Sequence, residues 1–287
     1  MSTRSIAKWS TVCLTLILST SLLHAQTALT FKTINAPGAT ETDCNDINTT
    51  NVVVGFFLDS SGIGHGFSLT AGGFKKIDVP NATDTRAYGI NDAGTIVGWY
   101  TDTLGVQHGF SLTAGKFAKI DPPGSTLTNA WSINTSGVIV GTYVGSDGLF
   151  HGFVDNAGTF TTFDAPNGSV LTQLTGVNNK NQMVGIYFDS SSVQHGFTLV
   201  GTKFTSFDYP GASVTAADRI NDSGEIVGLH GTSSAGPFSG YTRVGTTYTD
   251  VSAPNSTETR VRGLNNAAVL VGRFTDANGI IHGFQAK

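Results

Sequence analysis

A few short markers recur along the chain at one interval, and that interval constrains the fold more than any other feature. The triplet His-Gly-Phe begins at His65, His108, His151, His195 and His282, with spacings of 43, 43, 44 and 87 residues. The last gap spans two periods, and the copy it skips reads Ser239-Gly240-Tyr241. Three further markers keep the same step. They are Pro37, Pro80, Pro123, Pro166, Pro210 and Pro254; Asn48, Asn91, Asn134, Asn178, Asn221 and Asn265; and Gly55, Gly98, Gly141, Gly185, Gly228 and Gly272. Self-similarity at a fixed period is the signature of repeat architectures. Six copies, at 31–73, 74–116, 117–159, 160–203, 204–247 and 248–287, leave no interval for a second domain.

Each copy reads as four short strands. In the second they are Arg86–Ile90, Thr95–Tyr100, His108–Leu112 and Phe117–Ile120, runs rich in aromatic and β-branched residues and bounded by turn chemistry. Asn91-Asp92-Ala93-Gly94 suits a short hairpin whose last turn residue takes a positive φ. Gly94, Gly137 and Gly224 hold that position, Asn51 and Asn181 replace glycine there, and Ala268 is the exception. Each marker proline precedes Gly38, Asn81, Gly124, Asn167, Gly211 or Asn255, the pairing of a type II turn. Charged residues make up only 13% of the chain, against 36 glycines and 18 phenylalanines, which fits an all-β protein and excludes disorder. Four antiparallel strands repeated six times predict a six-bladed β-propeller. The last copy stops after a third strand at Ile281–Gln285, and an orphan strand, Phe31–Ile34, precedes the first. That N-terminal strand is expected to complete the last blade and hide the sheet edges.

Residues 1–25 read as a secretory signal peptide: Arg4 and Lys8, an apolar run over 9–23, then Leu23-His24-Ala25. Residues 26–287 are then one exported domain, with no stable membrane insertion after cleavage and a monomer expected. Losing Arg4 and Lys8 takes the net charge from −4 to −6, and no Lys/Arg cluster is present, which excludes nucleic acid as a partner. Cys13 leaves with the leader. Cys44 remains alone, among repeat equivalents that are all apolar, and reads as a small buried hydrophobe. Sequons at Asn48, Asn81, Asn134, Asn167 and Asn255 follow from Asn/Thr-rich turns.

The His-Gly-Phe triplet, the Ile-Asn-x-x-Gly-x-Ile-Val-Gly run and the 43-residue spacing resemble those of bacterial extracellular HAF-repeat proteins. In that family the triplet is His-Ala-Phe, and glycine replaces the alanine here in all five full triplets. The resemblance covers 31–287. It implies export and a β-rich repeat fold and carries over no catalytic residue.

The five triplet histidines sit at one register of different blades, too dispersed to share an ion, and are expected to hydrogen-bond within or between blades. The shared threonines Thr42, Thr85, Thr128, Thr172, Thr215 and Thr259 are expected to bond local backbone. His230 stands where other copies carry Phe or Tyr and reads as an aromatic substitute. Asp59, Asp102, Asp189 and Asp276 share a register between the second and third strands; calcium there is a weak possibility, and hairpin turn chemistry accounts for them better. No cofactor and no catalytic residue is assigned.

Function is expected where the copies disagree. After the shared threonine stand Asp43, Arg86, Asn129, Gln173, Ala216 and Arg260, and two residues on stand Asn45, Tyr88, Trp131, Thr175, Asp218 and Arg262. In a propeller the first strand of each blade lines the channel, so Asp43, Asn45, Arg86, Tyr88, Asn129, Trp131, Gln173, Asp218, Arg260 and Arg262 are candidate ligand contacts at its mouth. Aromatic faces beside amides and guanidinium groups suit a sugar or a peptide. The leading expectation is a non-catalytic exported scaffold binding glycans or surface proteins. A hydrolase or lyase using the channel mouth is the alternative, with Asp43 and Asp218 as its carboxylates, and a structural envelope or matrix component is the third.

Overall fold

The computed structural model describes residues 29–166 and 168–287. The expected leader at 1–25 and the turn residue Asn167 lie outside the described residues. Within them there is no helix, and the strands form antiparallel four-stranded units.

Strand β1 (Phe31–Ile34) stands apart from its sequence neighbours. The first sheet is β2 (Glu41–Ile47), β3 (Val53–Leu58), β4 (Gly64–Thr70) and β5 (Gly73–Ile77). The second is β6 (Asp84–Ile90), β7 (Ile96–Thr101), β8 (Gln107–Thr113) and β9 (Lys116–Ile120). The third comprises β10 (Leu127–Ile133), β11 (Ile139–Val144), β12 (Phe150–Asn156) and β13 (Thr159–Phe163). The fourth holds β14 (Leu171–Val177), β15 (Gln182–Phe188), β16 (Gln194–Val200) and β17 (Lys203–Phe207). The fifth is β18 (Val214–Ile220), β19 (Ile226–Gly231), β20 (Ser239–Val244) and β21 (Thr247–Val251). Then follow β22 (Glu258–Leu264), β23 (Leu270–Thr275) and β24 (Ile281–Ala286), and β1 pairs antiparallel with β24 as their fourth strand. Single parallel bridges, Phe150 to Leu171 and Gln194 to Val214, tie the third, fourth and fifth sheets. The sheets run 41–77, 84–120, 127–163, 171–207 and 214–251, so the borders at 31–73 and onward fall inside sheets. The period is a property of the residues, but its phase is set by which strands pair.

The turn chemistry forms as the residues dictate. Asn51, Gly94, Gly137, Asn181, Gly224 and also Ala268 all take positive φ, Ala268 at 55°. Gly38, Asn81, Gly124, Gly211 and Asn255 are likewise left-handed after their prolines. The shared threonine hydroxyls accept the crossover amides of Ala36, Val79, Ala165, Tyr209 and Ala253. In the third sheet the crossover residue is Pro122, which has no amide, and Thr128 donates to Ser125 instead.

The hydrophobic core lies in the seams between successive sheets. Val54, Ile77 and Val79 of the first sheet pack on Ala87, Ile90, Ile96 and Phe110 of the second. The same seam recurs between the following sheets, and Ile34, Val269 and Val271 pack on Cys44, Ile47, Val53 and Phe67. The triplet phenylalanines Phe67, Phe110, Phe153, Phe197 and Phe284 are fully buried in these seams, as is Tyr241 in the copy without the triplet. Each triplet histidine is fixed outside the seam by acidic partners of its own sheet: His65 between Asp59 and Asp78, His108 between Asp102 and Asp121, His151 between Asp147 and Asp164, and His195 between Asp189 and Asp208. His282 bonds Asp276 and, across the chain ends, Asn35. The turn aspartates also accept two backbone amides each at Asp59, Asp102, Asp189 and Asp276, so hairpin chemistry occupies these carboxylates. His230 stacks on Tyr209 with ring centroids 3.5 Å apart, the aromatic role read from its register.

A belt of asparagines carries the same order around the axis. Asn48 donates Nδ2–H to the Asn91 carbonyl, Asn91 to Asn134, Asn134 to Asn178, Asn178 to Asn221, Asn221 to Asn265, and Asn265 to Asn48. Each Oδ1 caps its own turn, as at Val52, Thr95 and Val138. One residue thus serves both a turn and a seam, and both amide groups are satisfied while buried.

Candidate functional site

The first strands β2, β6, β10, β14, β18 and β22 contact one another in succession around the axis, so their side chains decide what lines it. Each carries a β-bulge against its partner, between Cys44 and Asp46, Ala87 and Gly89, Ala130 and Ser132, Leu174 and Gly176, Ala217 and Arg219, and Val261 and Gly263. A bulge inserts one unpaired residue and re-aims side chains. The extra residues are Asn45, Tyr88, Trp131, Thr175, Asp218 and Arg262. The glycine marker follows from the bulge: a Cβ at Gly98 would run into the Arg86 carbonyl oxygen, and the other five marker glycines face the equivalent carbonyl.

The ten candidates fall into two groups. Asn45, Tyr88, Trp131, Gln173, Asp218 and Arg262 line one depression on the axis, together with Thr175 and Arg219, around about 370 Å³ of open space. Asp43, Arg86, Asn129 and Arg260 are outside that lining. Each turns back into the seam with the preceding sheet. Asp43 pairs with Arg273 at 3.3 Å. Arg86 is held by both carboxylate oxygens of Asp84 and lies 4.4 Å over Phe56. Asn129 accepts from Gln107. Arg260 bonds Glu258 at 2.6 Å and lies over Phe238. Simple alternation along a strand puts both rows on one face, but of the first row only Gln173 joins the lining, while its counterparts Asp43, Arg86, Asn129 and Arg260 are held by neighbouring side chains.

Reasoning from the sequence missed Arg219, which determines the shape of the site. It is 7% exposed and crosses the axis. Its Nη1 donates to the carbonyls of Thr175 and Asp218 at 2.6 and 2.8 Å, and its Nη2 to those of Tyr88 and Trp131 at 2.6 and 2.7 Å. Its Nε lies 3.5 Å from Asp46, whose carboxylate also accepts the Ile47 and Ile90 amides. The expected open channel is therefore floored. A second, polar depression of about 470 Å³ lies beyond Arg219 on the side of the asparagine belt. A signal was present in the register: the position reads Asp46, Gly89, Ser132, Gly176, Arg219 and Gly263, one acid and one base among small residues.

Within the upper depression, Tyr88 and Trp131 meet edge to face, centroids 4.5 Å apart and planes at 82°, forming an apolar corner. The Trp131 indole N–H donates to Thr142. Opposite stand Asp218 and Arg262, 3.5 Å apart. Burial pushes the Asp218 carboxyl above its ordinary value against the pull of Arg262 and Arg219. Arg262, whose burial works against its charge, is carried above its ordinary value by Asp218 and Asp43. Asp218 Oδ2, Asn45 Oδ1 and Arg262 Nε are buried without a hydrogen-bond partner among the described residues.

No known family profile matches the chain, and no curated protein matches it. Several solved structures share its fold. A mutant of Aleuria aurantia lectin in complex with Fucα1-6GlcNAc superposes with a TM-score of 0.55 at 10% identity, covering 86% of this chain and 91% of the lectin. AofleA from Arthrobotrys oligospora gives 0.54 at 10% identity over 91% and 87% of the two chains. The β-propeller domain of the Trilobed protease from Pyrococcus furiosus gives 0.52 at 11% identity over 86% and 97%. At such identities the likeness speaks for fold alone, an all-β chain of antiparallel sheets with propeller neighbours.

Proposed function

We propose that the chain is an exported, non-catalytic binding module: a six-bladed propeller, closed by its N-terminal strand, that holds a carbohydrate in the floored depression on its axis. Closure is supported by the pairing of β1 with β24, the Asn265 to Asn48 bond and the seam joining Val269 and Val271 to Cys44. The observation that carries the binding reading is the corner of Tyr88 and Trp131 in a depression also lined by Asn45, Asp218 and Arg262, each of which holds a buried polar atom without a partner among the described residues. Native interiors rarely leave such atoms unsatisfied, and three of them belong to residues of this one lining. Carbohydrate suits the combination, because a sugar ring offers C–H faces to aromatic surfaces and hydroxyls to amide, carboxylate and guanidinium groups. The lectin among the similar folds was captured with a fucosylated sugar, which is compatible with this use of the architecture.

The test is a glycan array probed with the chain from Gln26 onward, repeated with Trp131→Ala. Binding to a defined set of glycans, lost in the variant at unchanged Tm, is expected. Absence of any retained glycan, or measurable turnover of one, overturns the proposal.

A glycan hydrolase or lyase has one observation in its favour, the raised carboxyl of Asp218 in a depression. Its second carboxylate, Asp43, lies in the seam against Arg273 and outside the lining. Glycoside hydrolysis in its usual form needs two carboxylates flanking one bond, and this pair does not share one pocket.

A further inference from the structure

We propose that the axial depression reads two adjacent hydroxyls on the terminal residue of a glycan, one hydroxyl donating to Asp218 and its neighbour accepting from Arg262. The inference rests on the glycan-binding reading above and deepens it.

The arginines around the mouth are committed unequally. Arg86 makes two bonds to Asp84, Arg260 one to Glu258, Arg273 one to Glu41, and Arg219 four to backbone carbonyls. Arg262 makes no such commitment. It stands 3.5 Å from Asp218, at the limit of contact, with Nε unpartnered among the described residues. Asp218 and Asn45, 8% and 1% exposed, line the same depression, and each carries a buried oxygen without a partner among the described residues. The depression is therefore lined by two side chains that carry acceptors and by one cationic donor, Arg262.

A ligand must answer both kinds of group. An anion would meet Asp218, and Arg262 is already balanced by it. A cation would meet Arg262 and Arg219, while the aromatic surfaces of Phe56 and Trp99 already carry Arg86. A neutral group that both donates and accepts fits without leaving a charge uncompensated. Adjacent sugar hydroxyls do this, since each has one donor and two acceptor lone pairs and the two oxygens sit about one hydrogen-bond length apart. The Tyr88 and Trp131 corner then takes the C–H face of the ring.

The floor decides which part of the glycan enters. Arg219 blocks the axis between the two depressions, so a polymer cannot thread through. An internal residue has chain on both sides and would need an exit. A terminal residue needs one opening only.

The experiment pairs the glycan array with competition by free methyl glycosides of glucose, galactose, mannose and fucose, each alongside its monodeoxy analogues. It is run on the wild type and on Asp218→Asn and Arg262→Met, with Tm recorded for each. Competition by at least one methyl glycoside is expected, reduced about tenfold or more when either hydroxyl of one vicinal pair is removed, as befits a site with polar groups left unpaired. Both variants are expected to lose array binding to a similar extent. The deoxy sugars leave the protein untouched, so the result stands even where a variant folds poorly. Array binding at full strength in both variants, without competition by any monosaccharide, overturns this inference and leaves glycan binding intact. Competition by glycine and by no sugar overturns it too, because the pair would then be reading an ammonium and a carboxylate. An empty array removes both proposals together.

Discussion

Replacing Arg219 with methionine removes the residue that ties four first strands across the axis while keeping most of its volume. Arg219 is 7% exposed, and the Asp46 carboxylate beside it is 6% exposed. Truncating one partner of a buried charge pair costs about 3–5 kcal/mol, chiefly because the other charge is left unpaired. Asp46 retains the Ile47 and Ile90 amides, which lowers that cost. The carbonyls of Tyr88, Trp131, Thr175 and Asp218 lose their donor as well. A hydrogen bond to a charged group contributes about 1.5–3 kcal/mol, but water entering from the depressions on either side takes over part of this. We therefore expect Arg219→Met to cost about 3–5 kcal/mol out of a typical total of 5–15 kcal/mol. The assay is urea unfolding with fitted slopes for Arg219→Met, Asp46→Asn and the double variant. Asp46→Asn should cost less than Arg219→Met, because the guanidinium keeps its four carbonyls. The double variant should be more stable than Arg219→Met alone, because no buried charge remains unpaired. A cost below about 1 kcal/mol for Arg219→Met, or a double variant no more stable than Arg219→Met, would refute the reasoning.

Three further outcomes follow from the same structure. Gly98→Ala places a Cβ against the Arg86 carbonyl and 2.9 Å from the Phe110 ring, and should cost about 1–3 kcal/mol or more by overpacking; Gly94→Ala has open space and only its positive φ to strain, so equal losses in thermal unfolding would contradict the account. For His151, burial opposes the charge, but bonds to Asp164 and Asp147 carry it above its ordinary value of 6.5, so its contribution is fully present below that value and lost as pH rises through the folded one. Backbone amides of Ile63, Val106, Leu149, Val193 and Ile280 hold Asp59, Asp102, Asp147, Asp189 and Asp276 below 3.8, a contribution present above 3.8 and lost as pH falls through their folded values. Melts of wild type and His151→Gln across pH 5–9 should differ most at the acid end and converge toward the alkaline end; parallel curves would refute the His151 assignment. Deleting residues 29–34 removes β1, uncovers Phe284 beneath Phe31 and exposes β24 as a free edge. A lower Tm and self-association by light scattering are expected, and an unchanged monomer with unchanged Tm would refute closure by this strand.

Much of the fold is legible in the residues because it is local. The Pro-Gly and Pro-Asn turns, the left-handed Asn51 and Gly94, the threonine that receives a crossover amide and the four-strand period each need only a few neighbouring residues. Even the exception at Ala268 adopts the backbone its register demands, since the flanking strands impose it. The site was legible only in part. Asn45, Tyr88, Trp131, Gln173, Asp218 and Arg262 line one depression, whereas Asp43, Arg86, Asn129 and Arg260 lie outside it, engaged by partners such as Arg273, Asp84, Gln107 and Glu258 that no local pattern announces.

What tertiary structure alone decided is which distant atoms meet. Arg219 donates to a carbonyl 131 residues away, and Asn265 donates to one 217 residues away. A sequence specifies the donors and acceptors each residue carries. The partners are selected only when the sheets pack together, where burial penalises every polar group that fails to find one.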